Sequence, residues 1–102
     1  MLNQTVFVGR IAEINKKVKG ATVKLNVQRT FKNEEGVYEV DCIPVELYGG
    51  IAANTLEYIG EGDIVGIKGR VQMKGESIQV IAEKVTFLSS GKSETKEEGE
   101  EE

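Results

Sequence analysis

Ala21-Thr-Val-Lys-Leu-Asn-Val-Gln-Arg-Thr-Phe31 alternates without a break: Ala21, Val23, Leu25 and Val27 fall on one side, Thr22, Lys24, Asn26, Gln28 and Thr30 on the other. A period of two marks a strand with one face on a core and the other in water. Upstream, residues 4–18 read as a long first strand in which Val6, Val8 and Ile11 are apolar and Gly9 breaks the alternation. A glycine inside a strand points to a bulge or a sharp bend. Phe7 then lies outward, open to an interface or to a ligand. Lys16-Lys17-Val18-Lys19-Gly20 is a basic hairpin loop, and Asn33-Glu34-Glu35-Gly36 is a turn.

Downstream, residues 37–48 form a third strand with Ile43, Val45 and Leu47 inward and Cys42, Pro44, Glu46 and Tyr48 outward. Pro44 cannot donate to a ladder, so an unpaired edge or a bulge is expected there. Residues 51–59 are the one good helical segment, with Ala52, Leu56 and Ile59 on a single face and Gly60 as the stop. Residues 63–74 follow as a fourth strand, with Val65, Ile67, Val71 and Met73 inward and Lys68, Arg70, Gln72 and Lys74 outward. After the turn Lys74-Gly75-Glu76, residues 77–88 form a fifth strand whose parity changes between Ala82 and Val85, the mark of a bulge. Three strands, a short helix and two strands is the order of an all-β, five-stranded Greek-key OB-fold barrel with its helix between strands 3 and 4. We expect one such domain over 1–88 and a disordered acidic tail over 89–102.

Composition narrows the chemistry. The chain has 102 residues, and a 39% hydrophobic content is enough for a single core. Its formal charge of −4 hides a strong asymmetry: residues 1–32 sum to +6, residues 33–67 to −8, residues 68–88 to +2 and the tail to −4. A segregated basic region governs binding more than the total does. No apolar run is long enough to span a bilayer, and the start has neither a basic n-region nor an apolar h-region, so no secretory signal is expected. Cys42 is the only cysteine, which excludes an intramolecular disulfide and favours a reducing compartment. With no histidine, a lone cysteine and no phosphate-binding glycine loop, the chain lacks the parts of a nucleophilic or zinc site; we expect no enzyme, cofactor or metal.

Arg29-Thr-Phe-Lys-Asn33 places a ring between two cations at a strand end. A ring that stacks on a base, beside cations that neutralise phosphates, is the chemistry for gripping a single nucleic-acid strand. Phe31 shares the parity of Val27 if its strand runs straight, but at the strand end it is expected to be exposed. Tyr48, outward beside Leu47, is the second candidate platform. Tyr58 and Phe87 read as structural, and Tyr38 as a residue of the ribbon arm. Arg10, Lys24, Arg29, Lys32, Lys68, Arg70 and Lys74 are the candidate phosphate contacts. Lys16, Lys17 and Lys19 offer non-specific contacts from their loop.

The chain resembles the bacterial and phage-type single-stranded DNA-binding proteins over roughly residues 1–88. The resemblance is carried by Leu2-Asn-Gln-Thr-Val-Phe-Val-Gly-Arg10, Arg29-Thr-Phe-Lys-Asn33, Asn54-Thr-Leu-Glu-Tyr-Ile59 with Gly62 after it, Gly69-Arg70, and Ala82-Glu-Lys-Val-Thr-Phe-Leu88. It implies an OB-fold that binds single-stranded DNA, and a homo-oligomer, usually a tetramer, whose first strands pair between subunits. It also implies aromatic platforms at the positions of Phe31 and Tyr48. A third family platform falls on Cys42, which cannot stack. A fourth belongs to the hairpin Lys74-Gly75-Glu76, which has no ring. The family's acidic tail usually ends in a small hydrophobic tip that docks replication and repair proteins; Lys96-Glu-Glu-Gly-Glu-Glu-Glu102 has none.

The expected function is therefore binding and protection of single-stranded DNA, with little sequence preference, during replication, recombination or repair. The setting would be the cytoplasm of a bacterium, at the nucleoid or on a phage or mobile element, with no membrane partner. Two alternatives stay open at this point: a primosome-like or RNA-preferring accessory OB-fold, and a protein-interaction module without nucleic-acid binding.

Overall fold

A computed structural model of the chain describes residues 1–90. Five strands and one helix follow in the order β1 (Thr5–Lys17), β2 (Gly20–Lys32), β3 (Tyr38–Tyr48), α1 (Gly49–Leu56), β4 (Ile64–Lys74) and β5 (Ser77–Ser89). The strands close into a barrel in the order β1-β2-β3-β5-β4. This is the OB-fold, with its helix between β3 and β4. The expected tail beyond residue 90 lies outside the described residues.

The barrel closes because β1 serves two ladders. Thr5 to Arg10 pair antiparallel with β4, and Arg10 to Lys17 pair antiparallel with β2. The changeover falls at Gly9 and Arg10, and a bulge between Ile11 and Glu13 follows it. The glycine is required by close approach: a Cβ on Gly9 would lie 2.3 Å from the Asn26 carbonyl oxygen. Gly69 plays the same part on β4, where a Cβ would lie 2.1 Å from the Ile81 carbonyl oxygen. The last seam is short. β3 and β5 run parallel through Val45↔Val80 and Glu46↔Ile81. Pro44 therefore sits where that edge of β3 has no partner yet, as a residue without an N–H must.

Ile11, Val23, Leu25, Val45, Leu47, Val65 and Ile67 are fully buried and form the centre of the core. Burying each such side chain contributes roughly 1.5–3 kcal/mol. Phe7 corrects the sequence reading. It pairs with Ile67 and packs inward against this core, while Val6 and Val8 stand exposed. The inward set of β1 is Thr5, Phe7, Gly9 and Ile11, and the bulge after Ile11 restores Ile14 to the same side.

Two further expectations are corrected. Met73 is 59% exposed, and its cross-strand partner Ile78 is 70% exposed, because the β4–β5 hairpin runs past the end of the core. The helix is shorter and earlier than residues 51–59. It starts on Gly49, buries Ala52 and Thr55, and ends at Leu56, with Tyr58 N–H and Ile59 N–H both donating to the Thr55 carbonyl. Gly60 is not the left-handed stop; that conformation belongs to Gly62, with φ of 95°. The bulge expected in β5 is present, since Lys68 pairs with Lys84 and Gly69 with Ala82, leaving Glu83 as the extra residue.

Candidate nucleic-acid interface

Five of the candidate residues, Lys24, Arg29, Phe31, Lys32 and Tyr48, lie on the β2–β3 ladder. Register places Arg10, Asn26 and Cys42 in one row across β1, β2 and β3, Lys24 beside Pro44, and Gln28 beside Val40. A recess of about 340 Å³ opens where β1 bends, lined by Arg10, Asn26, Gln28, Val8, Val40 and Ile64. Cys42 is exposed at the β3 end of this row.

The two rings stand at opposite ends of this ladder. Tyr48 pairs with Gly20 at the barrel end and is 46% exposed. Its hydroxyl accepts from Gln79 Nε2 at 3.4 Å, which ties β3 to the β4–β5 hairpin. Phe31, on the β2 arm, is 70% exposed and so is not a core residue. The arm is held by local contacts. Asn33 Oδ1 accepts from the backbone N–H groups of Glu35 and Val37, and Gly36 takes φ of 79°. Lys32 Nζ lies 5.7 Å from the centroid of the Tyr38 ring, a cation–π contact across the arm.

The cations fall into distinct settings. Arg29 Nε and Nη2 donate to the two Asp41 carboxylate oxygens at 3.1 and 3.0 Å, and Nη1 donates to Glu39 at 2.8 Å. The hydrogen bond from Arg29 holds the Asp41 carboxyl below its usual range, and the two acids in turn raise the Arg29 guanidinium. Lys24 lies 3.6 Å from Glu13, and Arg70 donates to Glu83 at 3.2 Å. Arg10 donates to the Gly62 carbonyl at 2.8 Å, which fixes it at the mouth of the recess. Lys74 pairs with Ser77 at the hairpin tip.

Lys68 departs from this face. It pairs with Val6 and with Lys84, on the outer side of the β1–β4–β5 sheet. That sheet also exposes Val6, Val8 and Leu88, with Val8 and Leu88 flanking the bare Gly66. The structure thus brings together Arg10, Lys24, Tyr48 and the arm carrying Arg29, Phe31 and Lys32 along one ladder, and sets Lys68 apart. Sequence reasoning missed Lys84; only the bulge at Glu83 puts it opposite Lys68. It also left Asn26 and Gln28 as plain outward residues. Among the described residues no helix is long and apolar enough to cross a membrane, and no cluster of His, Cys, Asp or Glu could hold a metal.

Comparison with known proteins identifies the family and the fold. Residues 2–88 match the single-strand binding protein family. The chain is 35% identical over 103 residues to single-stranded DNA-binding protein 2 of Staphylococcus aureus strain Mu50, covering 86% of this chain and 73% of that protein. It is 31% identical over 107 residues to single-stranded DNA-binding protein 2 of Clostridium acetobutylicum, covering 89% and 80%. Among solved structures, a mitochondrial single-stranded DNA binding protein from S. cerevisiae shares the fold with a TM-score of 0.71 at 17% identity, covering 89% of this chain and all (100%) of the other. A small single-stranded DNA binding protein from Mycoplasma pneumoniae gives a TM-score of 0.63 at 21% identity, covering 83% and 92%.

Proposed function

This chain belongs to the single-strand binding protein family, and we propose that it binds and protects single-stranded DNA with little sequence preference during replication, recombination or repair. The observation that carries the reading is the pair of exposed rings, Phe31 and Tyr48, at the two ends of the β2–β3 ladder, with Lys24 and Lys32 on its outer face, Arg29 on the arm and Arg10 beside it on β1. Rings accept any base by its π-face, and cations take the phosphates between them, so recognition follows the strand rather than its sequence. Arg70 and Lys74 extend the cationic path along the hairpin that Gln79 ties to Tyr48. Lys68 and Lys84 offer phosphate contacts to DNA that continues round the barrel.

We further propose a homo-oligomer, with a tetramer favoured. Among the described residues Thr5 to Gly9 pair on one side only, with β4, and the adjoining face exposes Val6, Val8 and Leu88. An open strand edge beside an apolar face is a liability unless a second copy covers it. The domain boundary near residue 88 and a setting in a bacterial cytoplasm belong to the same reading.

The chain has three tyrosines and no tryptophan, so its intrinsic fluorescence reports on tyrosine directly. Titration with oligo-dT should quench this emission, duplex of equal length should not, and Tyr48→Ala should lose most of the quench. Equal quenching by duplex, or an unchanged quench in Tyr48→Ala, would contradict the assignment.

A further inference from the structure

Resting on the nucleic-acid reading above, we propose that Glu39 and Asp41 are built-in competitors for phosphate: they occupy Arg29 in the free protein and set how strongly, and with what salt dependence, the β2–β3 arm takes a strand. Arg29 meets Asp41 through two parallel hydrogen bonds of 3.1 and 3.0 Å and Glu39 through a third of 2.8 Å. This fork-to-carboxylate geometry is the one a guanidinium offers to the two non-bridging oxygens of a phosphodiester. The acids therefore fill the positions that a backbone phosphate would take.

Charge makes the competition effective. One cation faces two carboxylates, so the cluster is net negative, and a phosphate gains little until one carboxylate gives way. Access makes the exchange feasible. The Arg29, Glu39 and Asp41 side chains are 47%, 46% and 47% exposed, and exposed ion pairs are weak enough for an incoming polyanion to displace. The location favours it too. The β2–β3 register slips between Gln28 and Lys32, so the backbone ladder is interrupted where Arg29 sits. Glu39 also accepts from Asn33 Nδ2 at 3.0 Å and so keeps a partner when Arg29 leaves it. Phe31 lies two residues beyond Arg29, so a phosphate taken by Arg29 brings its base within reach of that ring.

The test is a fluorescence anisotropy titration of labelled oligo-dT over a series of salt concentrations. The variants are Glu39→Gln/Asp41→Asn, an equal charge removal on the same arm (Glu34→Gln/Glu35→Gln), and Arg29→Ala in the native and the Glu39→Gln/Asp41→Asn backgrounds. Glu39→Gln/Asp41→Asn should bind about two- to tenfold tighter at low salt, with a log–log salt slope steeper by about 0.7, one further phosphate neutralised. The Glu34→Gln/Glu35→Gln control should gain less and keep the original slope. Arg29→Ala should cost little in the native background and abolish the gain in the other. Three results would overturn the proposal: an equal gain from the control, no gain, or weaker binding by a variant whose circular dichroism shows it folded. The last would mean the acids only brace the arm. Failure of the native chain to bind oligo-dT at low salt would overturn the nucleic-acid reading itself, whereas native binding without a gain overturns this inference alone.

Discussion

Gly9 on β1 lies against the main chain of Asn26 on β2 so closely that a side chain at Gly9 would begin 2.3 Å from the Asn26 carbonyl oxygen. This contact lets β1 leave β2 and join β4, and it places Arg10, one residue on, at the mouth of the recess. The Gly-Arg step quoted from the sequence thus couples the barrel's closure to a candidate phosphate contact.

Gly9→Ala is accordingly expected to destabilise the fold. The obstructing atom is backbone and cannot rotate away, so the ladder itself must shift. Overpacking of this kind costs about 1–3 kcal/mol. Chemical denaturation should show a lower midpoint with an unchanged m-value. A midpoint equal to that of the native chain would show that the close approach is not required.

Phe31→Ala and Tyr48→Ala should leave stability nearly unchanged, within about 0.5 kcal/mol, because both rings are substantially exposed. Each should weaken oligo-dT binding by about 1–3 kcal/mol, the worth of one stacked base. Anisotropy titrations beside thermal melts separate the two effects. Unchanged affinity in both variants would leave the cations alone to carry binding.

Acid sensitivity should trace in part to Asp41. Its folded-state pKa is depressed below the ordinary 3.8 by the hydrogen bond from Arg29. A depressed carboxyl contributes stability that is present above the unfolded-state value and is lost as pH falls through the folded-state value. Melting temperatures recorded from neutral pH down through the carboxylate range should therefore fall more steeply for the native chain than for Asp41→Asn. Parallel curves would show that the pair adds nothing to stability.

Val8→Glu should disrupt the oligomer. Val8 is 55% exposed beside Leu88 and Gly66, and a carboxylate there would be buried unpaired if a second copy covers the face. Sedimentation should show the native chain as a multiple of its 11.2 kDa mass and the variant as a single chain. A native chain that sediments at 11.2 kDa would remove the oligomer proposal.

The fold was legible where alternation was clean. Ala21, Val23, Leu25 and Val27 face the core as their parity requires, and Pro44 sits on an unpaired edge. It was not legible at Val6-Phe7-Val8, three apolar residues in succession, because only contact with Ile67 decides which of them goes inward. The helix end was misplaced because Gly60 looks like a stop, while the Thr55 carbonyl collects the last donors before it.

For the candidate site, the outward parity of Tyr48 and the exposure of Phe31 followed from strand position. The partners of Arg29 did not. The Val27↔Asp41 and Gln28↔Val40 register carries Arg29 towards Glu39, with Asp41 two residues along β3, and a cross-strand register is not recorded in either strand's own alternation. The pairing of Lys68 with Lys84 depends on the extra residue Glu83.

The central claim is tested most directly by fluorescence anisotropy of a labelled oligo-dT of about 35 nucleotides, long enough for several OB-folds that each cover roughly 4–16 nucleotides. It should be titrated at low and moderate salt beside a duplex of equal length. We predict tight binding to the single strand, weakened by salt with a log–log slope of about −0.7 per neutralised phosphate, and no comparable binding to the duplex. No binding to the single strand at low salt would contradict the account.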